Sequence, residues 1–168
     1  MTTFGNLPAG APGQDGAGTT MELLMAGGEV SRALDRMVRR RAELNLAQFN
    51  ALRVMASREP DPAQPSDLTR ILRMSSAHAT AVVHQLAERG LVERAPSPGD
   101  QRLRLIRLTT RGRRALEAAL PALAQLDERL SAALGSQDAS AALWGRLREV
   151  RLALREALAA DDLDRVDP

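Results

Sequence analysis

The stretch from residue 75 to residue 112 constrains the fold more than any other, because it predicts a helix, two short strands and the start of another helix. Ser75 is placed to cap the first helix, and Gly90 can supply the positive φ that ends it, with Arg89 in the last turn. The apolar side chains of this helix recur at helical spacing: Ala79, Val82, Val83 and Leu86.

Two extended segments follow. Leu91 and Val92 begin the first, residues 96–99 (Pro-Ser-Pro-Gly) break it, and the return from Arg102 to Leu108 alternates apolar residues with arginines, with one step out of phase. Thr109 or Thr110 can cap the helix that comes next. A short helix followed by an arginine-bearing hairpin is typical of a winged helix.

A second short helix precedes this unit. Pro65, Ser66 and Asp67 open it, and the turn from residue 73 to 75 leads into the helix after Ser75. Two short helices joined in this way form a helix-turn-helix, whose second helix enters the major groove of DNA. The face of that helix opposite its apolar stripe is polar and short-chained: Ser76, Ala77, His78, Thr80, Ala81, His84 and Gln85.

Basic residues concentrate on the hairpin. Between Arg94 and Arg114 the chain carries seven arginines and one acidic residue, Asp100, although its net charge is only +2. A basic cluster of this kind indicates a polyanionic partner. The alternative is a solvated charged face. By charge alone, Asp100 would pair with Arg94 or Arg102 across the hairpin, and it can also serve as a turn residue after Gly99.

Composition favours a mainly α protein and excludes several functions. Aromatic residues make up 2% of the chain, so aliphatic residues at helical spacing must form the core, and the absence of Cys excludes disulfides and thiol chemistry. The two histidines, His78 and His84, stand at i and i+6 and do not share a helix face for metal binding. No phosphate loop or catalytic motif occurs. With no apolar run of about 18 residues and no signal peptide, we expect a soluble cytoplasmic protein that is not an enzyme and needs no cofactor.

The rest of the chain predicts flanking helices. Residues 1–19 are expected to be a disordered tail, Thr20 to cap a helix to about residue 42 that Gly27-Gly28 can kink or delay, and Asn45 to cap a helix over about 46–57. Residues 59–65 are expected to be a loop. A helix kinked at Pro121 should span about 110–134, another should follow Ser136, and residues 161–168 should form an acidic tail. The domain would thus span 20–160, with long helices at 20–45 and 110–160 around a DNA-binding lobe at 46–109.

The long helices carry more leucine than a small winged helix can cover. Their expected partner is the same surface of a second copy, which gives a two-fold homodimer that places paired recognition helices about one DNA turn apart. An intramolecular bundle is the alternative, and Trp144 is expected in the core or the interface. The apolar stripes of the last two helices are regular: Leu116, Leu120, Leu123, Leu126, Leu130 and Leu134, then Leu143, Leu147, Val150, Leu154 and Leu158.

This order of elements resembles the MarR family of bacterial transcription regulators over roughly residues 20–160. The hairpin is similar to the family's wing signature, Gly-Leu-Val-x-Arg, then Asp-x-Arg, then Leu-Thr-x-x-Gly. The matching residues are Gly90, Leu91, Val92, Arg94, Asp100, Arg102, Leu108, Thr109 and Gly112.

The resemblance implies a homodimeric DNA-binding regulator, usually a repressor, that a small anionic or aromatic effector releases from a pseudo-palindromic double-stranded operator. It implies that Arg102 enters the minor groove and that Asp100 holds the wing arginines in place. The candidate DNA-binding residues are Ser75, Ser76, His78, Thr80, Ala81, His84, Gln85, Asp100, Arg102 and Arg104.

The recognition helix departs from the family pattern. It has Ala77, His78 and Ala81 where the family often has hydroxyl or arginine side chains, so the arginine–guanine contact commonest in base recognition is missing. This leaves the operator sequence open and puts more weight on wing and phosphate contacts. Two further hypotheses are a non-specific architectural DNA-binding protein and a winged helix used for protein–protein contact.

Overall fold

The structure, a computed structural model, describes the backbone of residues 16–95 and 105–163 and the side chains of residues 18–95 and 105–157. Within these ranges the chain forms six helices and one two-stranded hairpin, and it divides into two compact units after Leu123. The elements are α1 (Gly16–Ala42), α2 (Leu46–Ala56), α3 (Pro65–Leu72), α4 (Ser76–Glu88), β1 (Val92–Ala95), β2 (Leu105–Leu108), α5 (Thr110–Leu134) and α6 (Gln137–Leu163). The predicted fold class, mainly α with a β-hairpin wing, is confirmed.

Two helix boundaries and the continuity of the first helix differ from the sequence predictions. The first helix begins at Gly16, so Thr20 lies inside it and not at its cap, and it continues through Gly27-Gly28 without a break. The last helix extends to Leu163, beyond the predicted limit of residue 160. Helical spacing on both sides of the glycines outweighs their poor helix propensity, which costs only about 1 kcal/mol each. In the part of the chain that is described, no helix is long and apolar enough to cross a membrane.

The core of the first unit forms around α2. Asn45 caps this helix as predicted: its side chain accepts a hydrogen bond from the backbone N–H of Gln48 (2.8 Å), and its own N–H donates to the Gln48 side chain (3.1 Å). This reciprocal pair satisfies two N–H groups at the helix start. The buried apolar residues of α2 pack with those of α3, α4 and the hairpin: Phe49, Leu52, Met55, Leu68, Val82, Leu86, Leu91, Ile106 and Leu108.

The helix-turn-helix has the predicted start and stop signals. Pro65 occupies the first turn of α3, where a missing N–H costs nothing, and Asp67 accepts from the backbone N–H of Gln64 (3.0 Å). Arg73 then adopts a left-handed conformation (φ 54°), and Ser75 caps α4 by accepting from the N–H of His78 (3.2 Å). The predicted cap of the recognition helix is confirmed.

Gly90 ends α4 with φ 65°, as predicted. The N–H groups of Gly90 and Leu91 bond back to the carbonyls of Ala87 (2.8 Å) and Leu86 (2.9 Å), which is the Schellman arrangement. This turn directs the chain into β1, which pairs antiparallel with β2 from Val92 opposite Leu108 to Ala95 opposite Leu105.

The α2–α3 loop joins the hairpin. Ala63 exchanges two backbone hydrogen bonds of 2.8 Å with Ile106, so one residue of the predicted loop extends the sheet. Nearby, Arg113 on α5 donates to the carbonyl of Leu108 (3.2 Å) and pairs with Glu59 (2.9 Å). The base of the wing is therefore held by α5 and by the loop before α3.

The second unit comprises residues 124–168. Gly135 ends α5 with φ 82°, and Ser136 accepts from the N–H of Ala139 (3.1 Å) at the start of α6, as predicted. Most of the expected inward stripe is exposed in the single chain, and Trp144 is 69% exposed and so not a core residue. The exposed large apolar side chains of this unit are Leu130, Leu134, Leu143, Trp144, Leu147, Val150, Leu152 and Leu154.

Candidate nucleic-acid interface

The polar face of α4 that is predicted to contact DNA bases, here called the reading face, is exposed along its length. One face of the helix is buried through Ala79, Val82 and Leu86, and the cap residue and the opposite side chains are open to solvent. The structure thus places the predicted recognition residues together on one surface: Ser75, Ser76, His78, Thr80, Ala81, His84 and Gln85.

Several of these side chains already have partners. Thr80 donates its hydroxyl to the carbonyl of Ser76 (2.8 Å), and the Ser75 hydroxyl caps the helix. His84 lies 3.4 Å from Glu88, one turn along, and both side chains are largely exposed. Glu88 would repel a DNA phosphate because both groups are negatively charged. The surface of α4 that can contact DNA therefore ends before Glu88.

Gln85 is held by a side chain that lies outside the predicted DNA-binding residues. Its Oε1 accepts a hydrogen bond of 3.1 Å from Nε2 of Gln48 on α2. Gln48 is 7% exposed and is the buried polar side chain among the described residues. A glutamine three residues after an Asn cap is a signal for a capping box, but nothing in that spacing reveals the contact with α4.

Arg89 completes this polar cluster. Its guanidinium donates to Oε1 of Gln48 (3.2 Å) and to the backbone carbonyl of Glu43 (2.9 Å), which follows the end of α1 with φ 55°. Sequence spacing predicts only that Arg89 lies in the last turn of α4, and in the structure it is the C-cap residue. In the structure it links the α1–α2 corner to the end of the recognition helix.

The start of α5 lies against the turn that follows α4. Thr109 donates its hydroxyl to the carbonyl of Gly90 (2.7 Å), accepts from the N–H of Gly112 (3.0 Å), and donates its own N–H to the carbonyl of Leu91 (3.1 Å). A Cβ at Gly112 would lie 1.9 Å from the Leu91 oxygen. Four residues of the wing signature therefore meet at one contact, where only glycine fits at position 112.

The tip of the hairpin lies outside the described residues, and with it the predicted Asp100, Arg102 and Arg104. The adjoining strands are described. Arg94 and Arg107 are exposed, and in the strand register Arg107 stands opposite Glu93. The described base of the wing therefore carries exposed guanidinium groups on both strands.

A charged cluster stabilises α3 on the same lobe. Arg58 and Arg70 (3.0 Å) both pair with the carboxylate of Asp67. Burial raises the pKa of Asp67, but the hydrogen bond from the Gln64 N–H and the two guanidinium groups outweigh it, so its pKa lies below the ordinary value. Asp67 is therefore a carboxylate at neutral pH and joins α3 to the end of α2.

Comparison with known proteins agrees with this geometry. A model described as "MarR family" matches residues 43–103. The transcriptional repressor MprA of Escherichia coli K12 is 36% identical over 78 residues, which are 46% of this chain and 44% of MprA. The HTH-type transcriptional repressor NicR of Pseudomonas putida is 29% identical over 102 residues, 61% of this chain and 63% of NicR. The chain thus aligns with less than two thirds of the length of either relative.

Solved structures match over more of the chain. A mutant MarR from E. coli, crystallised with operator DNA, is 26% identical with a TM-score of 0.66, over 82% of this chain and 99% of that one. MepR of S. aureus, solved as a DNA complex, has a TM-score of 0.72 at 18% identity over 80% and 96% of the two chains, which supports the fold alone. The wing signature, the fold and these similarities together confirm the predicted resemblance to the MarR family.

Proposed function

We propose that this protein is a sequence-specific DNA-binding transcriptional regulator that acts as a homodimeric repressor in the cytoplasm and leaves its operator when a small molecule binds. The observation that carries the proposal is the exposed face of α4, which is polar, short-chained and capped by Ser75. The relatives support it, since MprA and NicR are both named as transcriptional repressors. No catalytic step is part of the proposal.

The dimensions of α4 suit the major groove. An α-helix with its side chains is about 10–12 Å across, and the major groove of B-DNA is about 12 Å wide. Because Ala77, Thr80 and Ala81 are short, the helix backbone can approach the base edges closely. Ser76, His78, His84 and Gln85 would then supply the hydrogen bonds, and the alanines would contact thymine methyl groups.

The wing supplies the charge that α4 lacks. The recognition face carries no arginine, so the contacts with phosphates would come mainly from the hairpin, where Arg94 and Arg107 are exposed. We assign Arg102 to the minor groove and Arg104 to a DNA phosphate, with Asp100 orienting the guanidinium groups. This division leaves base reading to α4 and much of the affinity to the wing.

Unpartnered apolar surface supports the homodimer. In the first unit the amino-terminal half of α1 exposes Met21, Leu23, Leu24 and Met25, and in the second unit α6 exposes a stripe that includes Trp144 and Leu154. Exposed apolar side chains along one helix, as each unit has, are typical of an interaction site. A second copy would cover it and would present two α4 helices to a two-fold symmetric operator.

A depression among the described residues offers a candidate position for the effector. An open depression of about 420 Å³ lies at the α1–α2 corner and is lined by Ser31, Arg32, Asp35, Arg36 and Leu46. Two guanidinium groups beside a leucine suit a small anion that carries an apolar or aromatic group. Occupation of this corner would act on the α1–α2 junction, where Asp35 accepts from the N–H of Leu46 (2.8 Å).

The test is a titration of the protein against the DNA upstream of its own gene, with random duplex as competitor and at several salt concentrations. The proposal predicts binding at least about 10³-fold tighter than to random duplex, because specific regulators exceed their own non-specific binding by this factor or more. Equal affinity for both duplexes would indicate an architectural DNA-binding protein. Binding to neither, by a preparation free of bound ligand, would favour the protein–protein function.

A further inference from the structure

The buried amide of Gln48 lies between the end of α1 and the recognition helix. Its Oε1 accepts two hydrogen bonds, from the backbone N–H of Asn45 (3.1 Å) and from the guanidinium of Arg89 (3.2 Å). Its Nε2 donates to Oε1 of Gln85 (3.1 Å). Both hydrogen-bonding ends of this side chain are therefore engaged within the lobe.

The directions of these hydrogen bonds follow from groups that can only donate. A backbone N–H and a guanidinium have no acceptor atom, so the end of the Gln48 amide that faces Asn45 and Arg89 must be its oxygen. Its nitrogen must then face Gln85. A nitrogen donor requires an acceptor, which fixes the oxygen of Gln85 toward α2. The hydrogen-bond network thus fixes which end of each glutamine amide is the oxygen and which is the nitrogen.

The orientation of the Gln85 amide decides which of its atoms can contact DNA. Gln85 is exposed, and with its oxygen turned toward buried Gln48, the end of its amide left for an outside partner is the Nε2 donor. A free glutamine reads adenine with both ends at once, donating to N7 and accepting from N6. With the oxygen turned inward, this two-point contact is lost.

We infer that Gln85 reads DNA as a hydrogen-bond donor and that Gln48, which never touches DNA, is the positioning residue that sets this polarity. The inference rests on the proposed function and adds the class of base edge that Gln85 selects. Guanine offers the acceptors N7 and O6 and thymine offers O4, whereas cytosine offers only its N4 donor. At the base that Gln85 contacts, guanine is preferred, adenine (through N7) and thymine follow, and cytosine is the least favourable.

A single buried substitution should reverse this preference. In Gln48→Glu the carboxylate still accepts from Asn45 and Arg89, but it also offers an acceptor to Gln85. The Gln85 amide then turns its nitrogen inward and its oxygen toward DNA. The preferred base becomes cytosine or adenine, which carry amino donors in the major groove.

The experiment begins with selection of an operator from a random duplex library by the wild-type protein. Every base pair of one half-site is then replaced in turn, and affinities are measured for the wild type, Gln48→Glu and Gln85→Leu. We expect one position at which the wild type disfavours cytosine by about fivefold, the value of one net hydrogen bond. At that position Gln48→Glu should reverse the order of affinities. Gln85→Leu should bring the affinities for the four bases within about twofold of one another.

Asn50→Asp is the matched control, since it adds the same charge to the same helix, and it should keep the wild-type order of bases. Unchanged base preference in Gln48→Glu at every position would overturn the inference, as would an unchanged preference in Gln85→Leu. If thermal melting shows that Gln48→Glu does not fold, Gln48→Met replaces it, because it frees the Gln85 amide and should shift the preferred base from guanine to adenine. A wild-type protein that selects no sequence at all contradicts the proposed function instead, so the two failures are distinguishable.

Discussion

Gly112, in the first turn of α5, lies so close to the turn after α4 that a Cβ on it would come within 1.9 Å of the carbonyl oxygen of Leu91. The contact is with backbone, which cannot move aside as a flexible side chain can. Thr109 bridges the same two segments through its hydroxyl group. The end of the recognition helix, the start of the wing and the start of α5 are thus fixed at one point.

Gly112→Ala should destabilise the protein by about 3 kcal/mol, the upper part of the range for a substitution that forces atoms into filled space. Chemical denaturation measures this difference. Gly27→Ala is the control, because nothing lies within 4 Å of its added methyl group, and the better helix propensity of alanine should make that variant equal or more stable by up to about 1 kcal/mol. Equal stability of Gly112→Ala and the wild type would contradict the close approach.

Asp67 should make the free energy of unfolding depend on pH in the acid range. Its folded pKa lies below the ordinary value of 3.8, so its contribution is present above that pH and is lost as the pH falls through the lowered folded pKa. We expect Asp67→Asn to be less stable than the wild type at pH 7 and the difference to shrink as the pH falls below 3.8 and through the lowered folded pKa. Urea unfolding of both proteins across this range measures it. A difference that is the same at pH 7 and in acid would exclude the charge of Asp67 as its cause.

The exposed stripe of α6 should hold the dimer together. Leu154 is 58% exposed in the single chain, and Leu154→Glu would bury a charge at a two-fold interface twice per dimer. We expect sedimentation to show a homodimer for the wild type and monomers for this variant, with helix content unchanged. Arg148→Glu, an exposed change on the same helix, is the control for added negative charge. A dimeric Leu154→Glu protein would place the interface elsewhere.

Substitution of the wing arginines should weaken DNA binding and leave the stability of the fold unchanged. Arg102→Ala should weaken operator binding at about 150 mM salt by roughly 1–3 kcal/mol, and Arg104→Ala should reduce the salt dependence by about one phosphate contact. Fluorescence titration at several salt concentrations separates the two effects. Arg148→Ala removes the same charge from α6 and should change neither. Unaltered operator affinity in Arg102→Ala or in Arg104→Ala would contradict the role of that residue.

Local signals in the sequence were sufficient for the helix-turn-helix and the wing. The caps at Asn45 and Ser75 and the stop at Gly90 each depend on groups within one or two helical turns, so spacing alone reveals them. The family resemblance that these elements carry is confirmed. The assignment of individual residues to DNA contact stays a prediction.

Contacts between distant parts of the chain could not be predicted. Gln48 and Gln85 are 37 residues apart in sequence, and helical periodicity says which face is polar but not which polar groups meet across two helices. The sequence does not predict the pairing of Ala63 with Ile106 for the same reason, because one bridging residue in a proline-rich loop shows no alternation of apolar and polar residues. Gly112 matched the wing signature, but only the structure gives the steric reason for it.

The central claim is specific recognition of DNA, and titration of the operator fragment against random duplex tests it most directly. The account predicts a preference of at least about 10³ for the operator at physiological salt, with affinity that falls steeply as salt rises. Equal affinity for the two duplexes at every salt concentration would contradict it.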